Sequence, residues 1–114
     1  MPVKPSIDPA VFDSAQFEMV RRMISTERLR IHLHELDRQV SALTGSAGES
    51  IEGQAHKIVS QAGMVGLRRL SDRARALEEA CGTGAPIPAA LLACRAAAGD
   101  VRRYAMPAIG AVTG

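Results

Sequence analysis

The sequence predicts an all-α fold, an antiparallel four-helix bundle with a short N-terminal helical extension. Leucines and other aliphatic residues recur at spacings of three and four through most of the chain. No alternating strand pattern runs longer than a few residues, and no repeat recurs at 20–50 residues. Clusters of glycine, proline and serine cut the periodic stretches into four consecutive pieces joined by short turns, the signature of antiparallel neighbours. Aromatic residues make up 3% of the chain, so aliphatic side chains must supply most of the core.

The elements follow in order. Residues 1–7 carry Pro2 and Pro5 and are expected to form a disordered lead, with the bundle domain over 8–114. Asp8-Pro9 offers an N-cap and a first-turn proline for a short helix to about residue 20. Ser25-Thr26 restarts the chain as a helix in which Leu29, Leu33, Leu36, Val40 and Leu43 form one stripe. Gly45-Ser46-Ala47-Gly48 reads as a turn, and Ser50 as the cap of a helix running to about Met64. Gly66 breaks the chain before a helix striped by Leu67, Leu70, Ala74, Leu77 and Cys81. Gly82-Thr83-Gly84 ends it. The last helix is expected from about Pro88 to Tyr104, burying Leu91, Leu92, Ala98 and Val101, with Pro107 and Gly110 closing it.

Composition excludes several functions. A net charge of +2 and the scarcity of aromatics give no electrostatic or stacking platform for nucleic acid. Arg68, Arg69, Arg73 and Arg75 cluster, but Asp72, Glu78 and Glu79 interleave with them as on a mixed solvated face. Cys81 and Cys94 lack metal-ligand spacing and read as a reduced core pair. The N-terminus has no apolar signal-peptide core and no stretch is long enough to span a membrane, so a cytoplasmic protein is expected. Serine nucleophile elbows, P-loops and dinucleotide-binding glycine patterns are absent.

The informative segment is Ala55 to Leu70. With successive residues turned by about 100°, Ile51, Ala55, Ile58, Ala62 and Val65 share one buried stripe, and His56 lies about 140° from its middle. The imidazole should therefore face water, with Gly53, Ser60 and Gly63 as its surface neighbours. Glycine inside a helix costs about 1 kcal/mol relative to alanine, so two beside one exposed histidine suggest that something bulky approaches it. Glu52, one turn before, could accept a hydrogen bond from the ring. Lys57 points about 100° away as a rim charge. His32 flanks the leucine stripe of its own helix, and His34 points away from it without the Arg-Thr-Pro that should follow a kinase-type His-Glu-Leu.

This segment resembles the histidine-containing phosphotransfer (HPt) domain, whose pattern is Ala-His-x-Leu-Lys-Gly-Ser-Ala-x-x-x-Gly followed by a leucine-spaced helix. Ala55, His56, Ile58 and Ala62 match, as does Gly66 ten residues after the histidine; Leu67, Leu70 and Leu77 continue as the next helix. Val59 stands where the family has lysine, and Ser60 where it has glycine. The resemblance implies a phosphoryl carrier rather than an autonomous catalyst. His56 would be the phosphoacceptor, and Glu52, Gly53, Lys57, Val59, Ser60, Gly63, Gly66, Arg68 and Arg69 the docking and supporting residues. It implies receiver domains of response regulators as partners, with a hybrid histidine kinase as a further candidate. The expected protein is a monomer that contacts neither nucleic acid nor membrane. It binds no cofactor or metal of its own, because the receiver brings Mg²⁺. The missing lysine leaves an alternative: a degenerate adaptor or inhibitor that docks receivers without efficient transfer. A helical interaction module without phosphate chemistry is the third reading.

Overall fold

The structure is a computed structural model, described here for residues 7–43 and 50–110. It contains α1 (Ser14–Met23), α2 (Thr26–Ser41), α3 (Ile51–Met64), α4 (Arg68–Thr83), α5 (Ile87–Ala97), a π-helical segment (Val101–Ala105) and α6 (Met106–Gly110). Helices α2 to α5 make the bundle, and α1 is the N-terminal extension. The expected lead falls almost wholly, and the Gly45–Gly48 turn wholly, outside the described residues.

Three helix starts are written in short polar side chains. Asp13 Oδ1 accepts from Gln16 N, Ser25 Oγ from Arg28 N and Ser50 Oγ from Gly53 N, at 3.2, 3.1 and 3.0 Å. Each satisfies a backbone donor that the first turn leaves unpaired, at about 1 kcal/mol apiece. The leucine stripe of α2 is wholly buried, from Leu29 to Leu43, and meets Ala55, Ile58, Ala62 and Val65 of α3 and Leu70, Ala74 and Leu77 of α4. The most extensive interface joins α3 to α4, the next α4 to α5.

The turn between α3 and α4 fixes the geometry of the site. Leu67 N donates to Ala62 O and Gly66 N to Gly63 O, the paired bonds that close a helix through a left-handed residue. Gly66 supplies that residue, with φ of 78°. A Cβ there would lie 2.3 Å from the Asp13 carbonyl oxygen, so the position is closed to side chains twice over.

The first helix begins later than Asp8-Pro9 suggested. Asp8 does cap, but only a single turn: its Oδ1 accepts from Ala10 N and its carbonyl from Val11 N and Phe12 N. Asp13 N then donates to Gly66 O rather than back along its own chain, while Arg69 N donates to Val11 O. These cross-chain bonds take the groups an uninterrupted helix needs, and α1 restarts at Asp13. Phe12, Phe17 and Tyr104 gather here, with Phe12 5.4 Å from Phe17 and 6.1 Å from Tyr104 between ring centres.

The C-terminal helix also departs from expectation. It ends at Ala97 and resumes as the π-helical segment, in which Met106 N–H donates to Val101 O five residues back. Helical structure then runs past Tyr104, with Pro107 inside α6 instead of ending the helix. The wider turn shifts the helical phase, so that Val101, Ala105 and Ile109 all face the core. Asp100 turns inward with them, fully buried, and takes a two-pronged contact from Arg69 at 3.0 and 2.6 Å. Leu92, expected in the core, is 71% exposed. The buried face of α5 is set by Cys94 and Ala97, and Leu92 lies about 160° around from Cys94. Cys94 is a buried core thiol, pushed up to about 11 by burial, while Cys81 is only half-buried at the edge; both are unpaired.

Candidate phosphoryl-carrier site

His56 stands on the outer face of α3 with its side chain 70% exposed. Ala55 and Ile58 on either side of it are buried, which fixes the helix rotation and holds the imidazole outward. Its Nδ1 lies 2.7 Å from Oε2 of Glu78 on α4. A carboxylate is an acceptor, so Nδ1 donates its proton in this contact, and in the neutral ring Nε2 then keeps its lone pair. Among the described residues, His56 is the histidine whose ring nitrogen meets a carboxylate. His32 is half-buried and His34 exposed, both on α2.

Glu78 replaces Glu52 as the partner of the imidazole. Glu52 lies exposed in the first turn of α3, whereas Glu78 is held across the helix interface and is largely covered. Sequence reasoning treated Glu78 as an ordinary surface acid. The signal was available in the hairpin register: His56 precedes Gly66 by ten residues and Glu78 follows it by twelve, so an antiparallel turn at Gly66 brings them level.

The other expected residues separate into groups. Ser60 is exposed and Gly53 half-buried on the same helix. Gly63 is half-buried at the seam with α4, where an added Cβ would stand 3.5 Å from Ser71 Oγ, an ordinary contact. Val59 packs its side chain against the core, and its carbonyl accepts from Ser71 Oγ at 2.9 Å. Lys57 is exposed on the side facing α2, along a concavity with Glu35, Arg38 and Gln54. Gly66 is buried and supports the site without reaching the surface. Arg68 remains at the rim, 3.4 Å from Asp13 Oδ2. Arg69 does not serve as a rim contact, because Asp100 holds its guanidinium and the pair ties α4 to the π-helical segment. Hydrogen bonding to Asp100 raises the Arg69 pKa above its ordinary value.

An exposed imidazole whose Nδ1–H is held by a carboxylate presents Nε2, in the neutral ring, as a nucleophile that can take up a group. The Hpt domain family profile matches residues 22–104, which spans α2 through Tyr104. The chain belongs to the Hpt domain family. Histidine phosphotransfer in two-component phosphorelays is the work of such domains, and receiver domains of response regulators are what they meet. Neither the curated proteins nor the solved structures offer a match. No described helix is long and apolar enough to cross a membrane, and no described group of three or more His, Cys, Asp or Glu side chains could hold a metal ion.

Proposed function

We propose that His56 receives a phosphoryl group from the aspartate of one receiver domain and passes it to the aspartate of another. The observation that carries this reading is the 2.7 Å contact between His56 Nδ1 and Glu78 on an otherwise exposed ring. The Nε2 lone pair attacks phosphorus, the N–P bond forms, and the aspartyl carboxylate leaves with the P–O electron pair. The ring becomes positive, and its Nδ1 proton stays in the hydrogen bond to Glu78. Reversal onto a second aspartate restores the neutral imidazole. Such a transfer, with its loose in-line transition state, asks for positioning and charge neutralisation more than for acid–base chemistry. The receiver brings Mg²⁺, and the carrier brings the imidazole with Ser60, Gly63 and Arg68 as the docking rim. The protein acts as a monomeric cytoplasmic carrier, with a hybrid kinase as one source of the donor receiver.

Val59 favours a second reading, an adaptor that docks receivers and transfers poorly, since its side chain packs on the core and offers the phosphoryl group no charge. One experiment separates the two. The protein is mixed with a phosphorylated receiver and Mg²⁺, and an acid-labile, base-stable adduct is sought. Labelling of the wild type and its loss in His56→Gln, with helical content unchanged, is the expected result. Receiver binding without transfer would establish the adaptor, and labelling that persists in His56→Gln would refute the assignment.

A further inference from the structure

A phosphoryl group on His56 would stand among acids. Glu78 holds the ring, Glu52 lies one turn earlier on α3, and the phosphoryl group itself adds up to two negative charges. A cation of this chain beside it would offset that charge. Val59 supplies none, and Lys57 is turned toward α2 and its concavity.

The four clustered arginines of α4 sort by face. Arg69 and Arg73 line a cleft against Ala93, Ala96 and Ala97 of α5. Arg68 and Arg75 line a concavity with Gly63 of α3 and with Ser71 and Asp72. Arg68 sits at the far end of α4, beside Asp13. Arg75 lies between Ser71, which bonds the Val59 carbonyl, and Glu78, which bonds His56. It is therefore one turn from the residue that touches the imidazole, on the side where Gly63 leaves the surface low. It pairs with Asp72 at 3.6 Å, with both side chains more than half exposed. An ion pair of that kind contributes almost nothing in water, so the guanidinium can change partner at little cost.

We infer that Arg75 is the phosphate-binding cation of this carrier, closing from α4 onto a phosphoryl group at His56 and taking the place that Val59 leaves without charge. The inference rests on the phosphocarrier reading, and the test keeps the two apart. The isolated chain is phosphorylated chemically with phosphoramidate, in which phosphorus passes to Nε2 as ammonia leaves, and the phosphohistidine is titrated by phosphorus NMR. A neighbouring unit charge about 6 Å away in a water-like surround shifts an ionisation by about half a pH unit, or about threefold. Arg75→Gln is expected to raise the second phosphoryl ionisation by that amount, and Arg73→Gln, in the cleft against α5, to leave it in place. The shift should shrink in molar salt. An Arg75→Gln titration that overlays the wild type, or an equal shift in Arg73→Gln, would overturn the inference while leaving the carrier function standing. So would weaker receiver binding with an unmoved titration, which marks a docking role alone. A wild type that yields no phosphohistidine from phosphoramidate or from any receiver would overturn both.

Discussion

Glu78→Gln isolates what the carboxylate contributes to transfer. The amide keeps the length of the side chain and an acceptor oxygen for His56 Nδ1, and removes one charge. That charge matters most when Nε2 bears the phosphoryl group and the ring is positive. Two unit charges about 4 Å apart interact by about 1 kcal/mol in water and about 4 kcal/mol in a surround of effective dielectric 20. His56 is 70% exposed and Glu78 29% exposed, so solvent screening places the pair near the lower limit. A loss of about 1–1.4 kcal/mol follows, a roughly 5- to 10-fold slower transfer. Glu78→Ala also removes the acceptor and should cost somewhat more. The assay is single-turnover rapid quench from a phosphorylated receiver at saturating carrier, with receiver affinity measured separately. Affinity should hardly change. Nitrogen NMR of the ring should show the Nδ1–H tautomer dominant in the wild type and mixed in Glu78→Ala. Transfer within twofold of wild type in folded Glu78→Gln would refute the reasoning.

Three further substitutions test the scaffold and the docking face. Gly66→Ala places a Cβ against the Asp13 carbonyl at 2.3 Å in a left-handed conformation, and should lower stability by about 2–4 kcal/mol, read as a fall in melting temperature of roughly 10 °C or more. Asp100→Ala strips Arg69 of its fully buried partner and should cost about 3 kcal/mol in denaturant unfolding; a change under about 0.5 kcal/mol would show the pair to be dispensable. Ser60→Arg puts a long side chain on an exposed position one turn from His56, so receiver binding should fall severalfold at constant melting temperature, as calorimetry with a receiver would show.

What was legible in the sequence is what local periodicity encodes. The stripe from Leu29 to Leu43 and the one from Leu67 to Leu77 are buried as read, and the caps at Ser25 and Ser50 hold their helices. The outward placement of His56 follows from the same periodicity, because Ala55, Ile58 and Ala62 leave it one possible side. What could not be read locally is what depends on a partner far along the chain. Asp8-Pro9 is a sound helix start by composition, yet Gly66 and Arg69 take over the backbone groups around it. Leu92 is as apolar as Leu91, and only the phase set by Cys94 and Ala97 turns it outward. The π-helical segment has no signature of its own, and Asp100 just before it finds its partner Arg69 on α4, far back along the chain.

The same dependence on distant partners links the scaffold to the chemistry. The imidazole is positioned by two things, the rotation of α3 and the axial register of α4 against it. Rotation is secured locally by the buried stripe. Register is secured by the Gly66 turn, since a slip of one residue there would rotate α4 by about 100° and carry Glu78 away from Nδ1. The turn is itself pinned from outside the bundle, where Asp13 N bonds the Gly66 carbonyl and the Phe12, Phe17 and Tyr104 cluster anchors the N-terminal segment. The N-terminal extension thus acts on the site without touching it. Loosening that anchor should leave His56 exposed and able to accept a phosphoryl group from phosphoramidate, yet slow the transfer that depends on Glu78.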